Sequence, residues 1–327
     1  MSSEGGTRAI IAALLANLGI AVTKFVAFLL TRSSSMLAES VHSVADSGNQ
    51  ALLLLGGKRA ARAATPKHPF GYGRERYVYA FIVSIVLFSI GGLFALYEAY
   101  HKFAEPEPIT DWKWVPILVL VVAIVLEGFS FRTAIHESNQ VRGTRSWREF
   151  IRTAKAPELP VVLLEDFAAL LGLVFALVGV GMTLLVGDGR WDALGTGLIG
   201  VLLVTVAVVL AVEMKSLLLG ESANDEAVDR IAAALVGDDT TAVSRVIHMR
   251  TMHLGPEELL VAAKIAVRRQ ATGQEIAEAI DDAESRARAA EPNVRMLLYL
   301  EPDIDRGESA VSSWQPTGRA EAQPHAE

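Results

Sequence analysis

Along the first two-thirds of this chain apolar residues do not alternate with polar ones; they run on. Six stretches of roughly 20 mostly apolar residues, the length that crosses a ~30 Å hydrocarbon core, lie near 9–30, 36–57, 77–100, 114–134, 159–187 and 193–218. The pattern predicts an α-helical membrane protein with six transmembrane helices inside residues 1–219. The first run is longer than the apolar region of a secretory signal and lacks a cleavage site, so it is expected to be a retained helix. After about residue 220 the pattern shortens to that of a small α+β domain, 220–305, in the order helix, strand, strand, helix, strand (αββαβ, ferredoxin-like). The helix is expected near 224–236 and the strands near 244–252 and 258–267, with Gly255 and Pro256 marking the turn between them. Thr272 followed by Glu275 is a capping box that opens the second helix, and a last strand is expected near 294–300. So small a domain is marginal alone, which predicts a homodimer. From 306 to 327 the chain has few large apolar residues to offset its ordering entropy, and a disordered tail is expected.

Charge changes the picture by supplying a topology. The net charge is −7, but Lys58, Arg59, Arg62, Lys67, Arg74 and Arg76 crowd the second connection, and Arg142, Arg145, Arg148, Arg152 and Lys155 the fourth. By the positive-inside rule both connections are cytoplasmic. The remaining turns, around 31–35, with Glu105, Glu107 and Asp111, and at 187–192, then face outward, and both termini lie inside. The short N-terminus without a transit segment points to a plasma (inner) membrane. The basic loops need no nucleic acid, because anionic lipid explains them. The chain has no cysteine, so thiolate ligation and disulfides are excluded and a metal must be held by nitrogen and oxygen.

Polar residues inside the apolar runs carry the candidate chemistry, since each charged group there costs about 2.5–3.5 kcal/mol on insertion scales. In the second run His42 and Asp46 stand four apart and stack on one helical face, which Asn49 continues. An imidazole and a carboxylate one turn apart can share one metal ion. Glu39 lies one turn earlier and reads as a carboxylate near the outer surface, a proton carrier or a supporting group. In the fifth run Glu165 and Asp166 are adjacent; about 100° apart around the helix, only one of them can face a given ion squarely. Lys24, Asn17 and Glu127 are further intramembrane polar residues, open equally to pairing with a neighbouring helix and to a role in transport, and none is taken as a ligand.

His42-x-x-x-Asp46, an aspartate in the fifth run, six spans and a small cytoplasmic α+β domain resemble the cation diffusion facilitators, as does His68-Pro69-Phe70-Gly71-Tyr72-Gly73-Arg74-x-Arg76 before the third span. The branch most similar is that of zinc transporter nine. The resemblance covers about residues 8–303. It implies a secondary active transporter, not an enzyme: a divalent cation efflux protein, a Zn²⁺/H⁺ antiporter working by alternating access, whose substrates are metal ion and protons and which needs no prosthetic group. His42, Asp46 and Asp166 are the implied metal ligands, with Glu165, Asn49 or Glu39 as an additional ligand or proton carrier.

The departures matter equally. Many zinc exporters of the family carry histidine four residues before the fifth-helix aspartate, where this chain has Val162. One ligand is thereby lost, and oxygen-richer coordination opens Mn²⁺, Fe²⁺ or Co²⁺ as alternatives. The family's loop site retains only His68, beside Thr65 and Tyr72. Its cytoplasmic site retains His253 and Glu301 beside Ala263 and Tyr299, so both secondary sites are expected to be weak. His248 and His253 alternate with methionines and are expected to be exposed. A membrane metalloenzyme lacks every helix or loop signature it would need, and a non-transporting regulatory protein is the remaining alternative.

Overall fold

The computed structural model describes residues 3–106, 109, 112–236 and 241–304, and side chains from residue 17 onward. The tail 306–327, expected to be disordered, and Glu107 and Asp111 of the connection expected to face outward lie outside the described residues. Two compact units divide the chain: Met1–Arg62 with Glu75–Ser216, and Ala63–Arg74 with Leu217–Glu327.

The first unit is helical: α1 (Ser3–Thr31), α2 (Ser34–Ala60), α3 (Glu75–Val86) continuing through a π-helical stretch (Leu87–Leu93) into α4 (Phe94–Ala104), α5 (Trp114–Arg142), the short α6 (Trp147–Thr153), α7 (Glu158–Val186) and α8 (Arg190–Leu219). Four continuous helices among the described residues are long and apolar enough to cross a membrane: Glu75–Ala104, Trp114–Arg142, Glu158–Val186 and Arg190–Leu219. The helix α2 is of similar length but buries a polar series from Ser34 to Asn49. The stretch α6 was not anticipated. It opens on its own capping box, Ser146 with Glu149, inside the basic connection that reads as a loop.

Close helix crossings use glycine. The Gly195 position on α8 lies against Phe175 and Gly179 of α7: a Cβ on Gly195 would sit 2.8 Å from the Phe175 carbonyl oxygen, and one on Gly179 would sit 2.9 Å from that of Trp191. Without a hydrophobic drive between helices in lipid, such backbone approach is what joins them. Because α7 ends at Gly187 in the left-handed conformation (φ 80°) and α8 starts three residues later, the two form a tight hairpin. Substitution Gly195→Ala must separate them, and it is expected to lower the thermal unfolding midpoint of the detergent-solubilised protein by several degrees. Gly197→Ala, whose Cβ meets only the Ala99 methyl at 3.6 Å, is the control expected to leave the midpoint in place.

The second unit has the order α9 (Asp225–Val236), β1 (Val243–Gly255), β2 (Glu258–Val267), α10 (Gly273–Ala290), β3 (Arg295–Ile304). Its sheet runs β1-β2-β3; β1 and β2 are antiparallel, while β2 and β3 are parallel with α10 as the crossover. The predicted capping box forms: Glu275 N–H donates to Thr272 Oγ1 and the Thr272 N–H to Glu275 Oε2. Those bonds hold the Glu275 carboxyl below the usual range. Ile231, Leu235, Met249, Leu259, Val261, Ala283, Ala287 and Met296 form the core between helices and sheet. The segment Ala63–Arg74 belongs to this unit. Its Gly73 lies so near the β1–β2 turn that a Cβ would meet the Leu254 carbonyl oxygen at 2.7 Å, and Arg74 Nη2 donates to Met252 Sδ at 3.1 Å.

Candidate metal centre

What positions α2 is a carboxylate from far along the chain. The first amides of a helix have no partner inside it and carry its positive end. Here Asp192 of α8 takes them: Ser34 N–H donates to Oδ2 at 2.7 Å and Ser35 N–H to Oδ1 at 3.4 Å, while the Ser33 and Ser34 hydroxyls donate at 3.0 and 3.1 Å. Thr183 Oγ1 accepts the Asp192 amide, and Thr196 shares hydrogen bonds with Ser34 and Ser35. All of these side chains are buried. The sequence reading sets Asp192 in a turn; it lies buried in the first turn of α8 and anchors the helix that carries His42.

Below that anchor the polar face of α2 unfolds in order. Glu39, His42, Ser43, Asp46 and Asn49 recur at helical spacing and face inward. His42 Nδ1 and Asp46 Oδ1 are 3.4 Å apart, within ion-pair reach but not hydrogen-bonded. Both His42 ring nitrogens, Asp46 Oδ1 and Asn49 Oδ1 are buried without a hydrogen-bond partner, an arrangement that costs about 1–3 kcal/mol per group unless something else satisfies it. Asn49 Nδ2 donates to Glu165 Oε1 of α7 at 2.6 Å. Asp166, one residue on, turns to α5, where the Ser130 hydroxyl donates to its Oδ2 at 2.8 Å. The two carboxylates thus divide as their 100° separation requires: Glu165 reaches α2 and Asp166 reaches α5. Among the described residues no three His, Cys, Asp or Glu groups are gathered into a ligand set.

Against this face stands the π-helical stretch. A Cβ on its Gly91 would lie 4.0 Å from His42 Nδ1 and 3.2 Å from a Leu203 methyl, and one on Gly92 would meet Val204 at 2.6 Å. These glycines let the third span and α8 close on each other beside the imidazole, in the wound-out helical form that recurs at functional sites. No hydropathy pattern signals it.

At the other flank Lys24 of α1, 1% exposed, donates from Nζ to Glu39 Oε2 at 3.0 Å and to the Ser43 hydroxyl at 2.8 Å. Glu39 is fully buried, and its Oε1 is a further buried oxygen without a hydrogen bond. Glu127 stands one turn before Ser130 on α5 and is partly exposed.

The secondary candidates lie apart. His68 is exposed, its ring tilted against that of Tyr72 with centroids 4.7 Å apart, with a single bridge between its backbone and that of Thr65. His253 is 6% exposed, against the expected exposure, because it ends β1 beneath the turn, its Nδ1 3.3 Å from the Gly255 carbonyl oxygen. Glu301 meets Lys264 at 3.1 Å, which with Asp303 holds that ammonium above the usual lysine range. His253 pairs with Leu259 and Leu259 with Met296, so Glu301 lies five residues farther along β3, about 17 Å at the rise of a strand.

Comparison with known proteins adds the following. Residues 10–219 match the family described as the cation efflux transmembrane domain. The chain is similar to the mitochondrial proton-coupled zinc antiporter SLC30A9 of Mus musculus, 33% identical over 228 residues, which are 69% of this chain and 39% of that protein. It is similar to metal tolerance protein C4 of Arabidopsis thaliana, 27% identical over 81% of this chain and 58% of that one. With the magnetosome protein MamB of Magnetospira it shares 26% identity over 74% and 76% of the two chains. The chain spans about two-fifths of the length of its SLC30A9 relatives.

Proposed function

This chain belongs to the cation efflux family, whose transmembrane domain it carries over residues 10–219, and on that premise we propose that it exports a divalent metal ion, zinc first, in exchange for protons. The observation that carries the reading is the set of buried, unsatisfied groups on one face of α2: both His42 nitrogens and Asp46 Oδ1. One imidazole nitrogen and the carboxylate oxygen offer lone pairs sealed from water without donors, which suit a cation or protons. His42 and Asp46 are the fixed half of the site, and Asp166 completes it, with Asn49, Glu165 or water in the fourth position. Since Asp166 and Glu165 are engaged by Ser130 and Asn49, the ion gathers the ligands by displacing those donors. Metal and proton compete for the same imidazole and carboxylates, so a proton gradient drives release, and rocking of the helices exposes the site to one side and then the other.

Zinc is inferred from the relatives named as proton-coupled zinc antiporters. The oxygen-rich ligand set supports Mn²⁺, Fe²⁺ or Co²⁺ as the alternative substrates. We place six spans in a plasma or inner membrane with both termini cytoplasmic, residues 220–305 as the cytoplasmic domain, and two chains in the working assembly. Purified protein in liposomes with an imposed pH gradient is expected to accumulate Zn²⁺ at a rate that vanishes when the gradient is collapsed. Movement of none of the four ions under either gradient direction, by folded protein, would refute the proposal.

A further inference from the structure

Among the described buried side chains of the helical unit, one is a lysine. Lys24 stands 1% exposed on α1 and reaches the same face of α2 that bears His42 and Asp46: Glu39, His42, Ser43 and Asp46 follow at spacings of three, one and three residues, and Lys24 binds the first and third of them. An ion pair that only pinned two helices would be expected to satisfy its carboxylate fully, because unmet buried charge is expensive. Here one Glu39 oxygen is taken and the other is not. Oε1 has no hydrogen-bond partner and lies where a Cβ on Gly172 of α7 would come within 3.0 Å of it. Gly172 is two turns from Glu165 on the same helix. Glu39 therefore presents a free oxygen at the junction of α1, α2 and α7, one turn from His42 toward the end anchored by Asp192.

We propose that Glu39 is an exit ligand of the transport site and that Lys24 is the internal cation that clears it. An ion leaving His42 and Asp46 along the face of α2 meets Glu39 next, through Oε1. The ammonium on Oε2 keeps that carboxylate from holding a doubly charged ion for long, and it reclaims the carboxylate once the ion has gone. Lys24 thus acts as a positioning residue that shortens occupancy, trading affinity for turnover. The inference rests on the α2 face being the transport site, as proposed above.

Zinc uptake by the full-length protein in liposomes under a fixed pH gradient separates the possibilities, using Lys24→Met, Glu39→Gln, the double variant and Asp46→Ala, each normalised to folded protein incorporated. Lys24→Met removes the amine that holds Glu39 Oε2 and leaves the carboxyl group in place. It is expected to lower KM for Zn²⁺ about tenfold and the maximal rate at least tenfold, a split that mere loss of packing does not produce. Glu39→Gln is expected to raise KM and slow uptake. The double variant, neutral and close in shape, is expected to remain slow because the exit ligand is gone; if it transports at the wild-type rate, the pair only joins α1 to α2 and the inference is wrong. An unchanged KM in Lys24→Met overturns it as well. Should Lys24→Met fail to fold, Glu39→Gln and the double variant still decide. Normal uptake by Asp46→Ala would instead remove the transport site itself, whereas loss there together with a fully active double variant would remove only the role of Lys24 and Glu39.

Discussion

Asp46→Ala is expected to reduce gradient-driven zinc uptake by roughly a hundredfold or more, since loss of even a group supporting a ligand costs about 10–100-fold and Asp46 is read as a ligand itself. Asp166→Ala should do the same. Neither change should unfold the protein. Asp46 Oδ1 has no hydrogen-bond partner, so its removal relieves a buried carboxylate; Asp166 gives up one bond, that from Ser130. The measurement is initial uptake in liposomes beside the thermal unfolding midpoint in detergent. Uptake within about twofold of wild type for both variants, with midpoints unchanged, would show that α2 and α7 do not hold the ion.

The second large effect concerns stability and falls on Asp192. Its carboxylate accepts two backbone N–H groups and two hydroxyls at the start of α2, and Asp192→Ala leaves the Ser34 and Ser35 amides and the Ser33 hydroxyl buried without that acceptor, while the Ser34 hydroxyl keeps Thr196. At about 1–3 kcal/mol for each group so stranded, less whatever water enters, a loss of about 3 kcal/mol or more is expected. That is a fall of roughly 5–10 °C in midpoint for a chain of this size. Asp192→Asn keeps one acceptor oxygen but turns an amide NH₂ toward the hydroxyls, so an intermediate fall is expected. If both variants melt with wild type, the anchor contributes nothing and the position of α2 is set by packing alone.

These two aspartates mark where reading from sequence succeeds and where it stops. The face of α2 was legible because its residues are local: three- and four-residue spacings place His42, Asp46 and Asn49 together whatever the rest of the chain does. The capping box at Thr272 was legible for the same reason. Asp192 was not, because its partners are 157 to 159 positions away and an acidic residue in a short turn looks solvated until Ser33, Ser34 and Ser35 are brought to it. Helical geometry required Glu165 and Asp166 to face different neighbours, yet only the packing of α7 between α2 and α5 says which faces which. Lys24 could be expected to find a partner; that Glu39 is that partner follows from the antiparallel pairing of α1 and α2. The π-helical stretch left no trace in the pattern, since one widened turn hardly shifts the apolar period of a long span.

The boundary between the two units does not follow the order of the chain. Ala63–Arg74, which joins α2 to α3, is counted with the strands and not with the helices it connects, through the contacts of Gly73 and Arg74 with the β1–β2 turn. The protein is therefore not modular in the sense of two beads on a string. Cutting at Leu217 would not excise one unit cleanly; it would strip an inner connection of the surface it is folded on and leave a membrane half with an untethered loop between two of its helices. A truncated chain that loses activity would thus report on that orphaned connection as much as on the missing strands. Exchange of the α+β unit between relatives should preserve function only when Ala63–Arg74 is exchanged along with it.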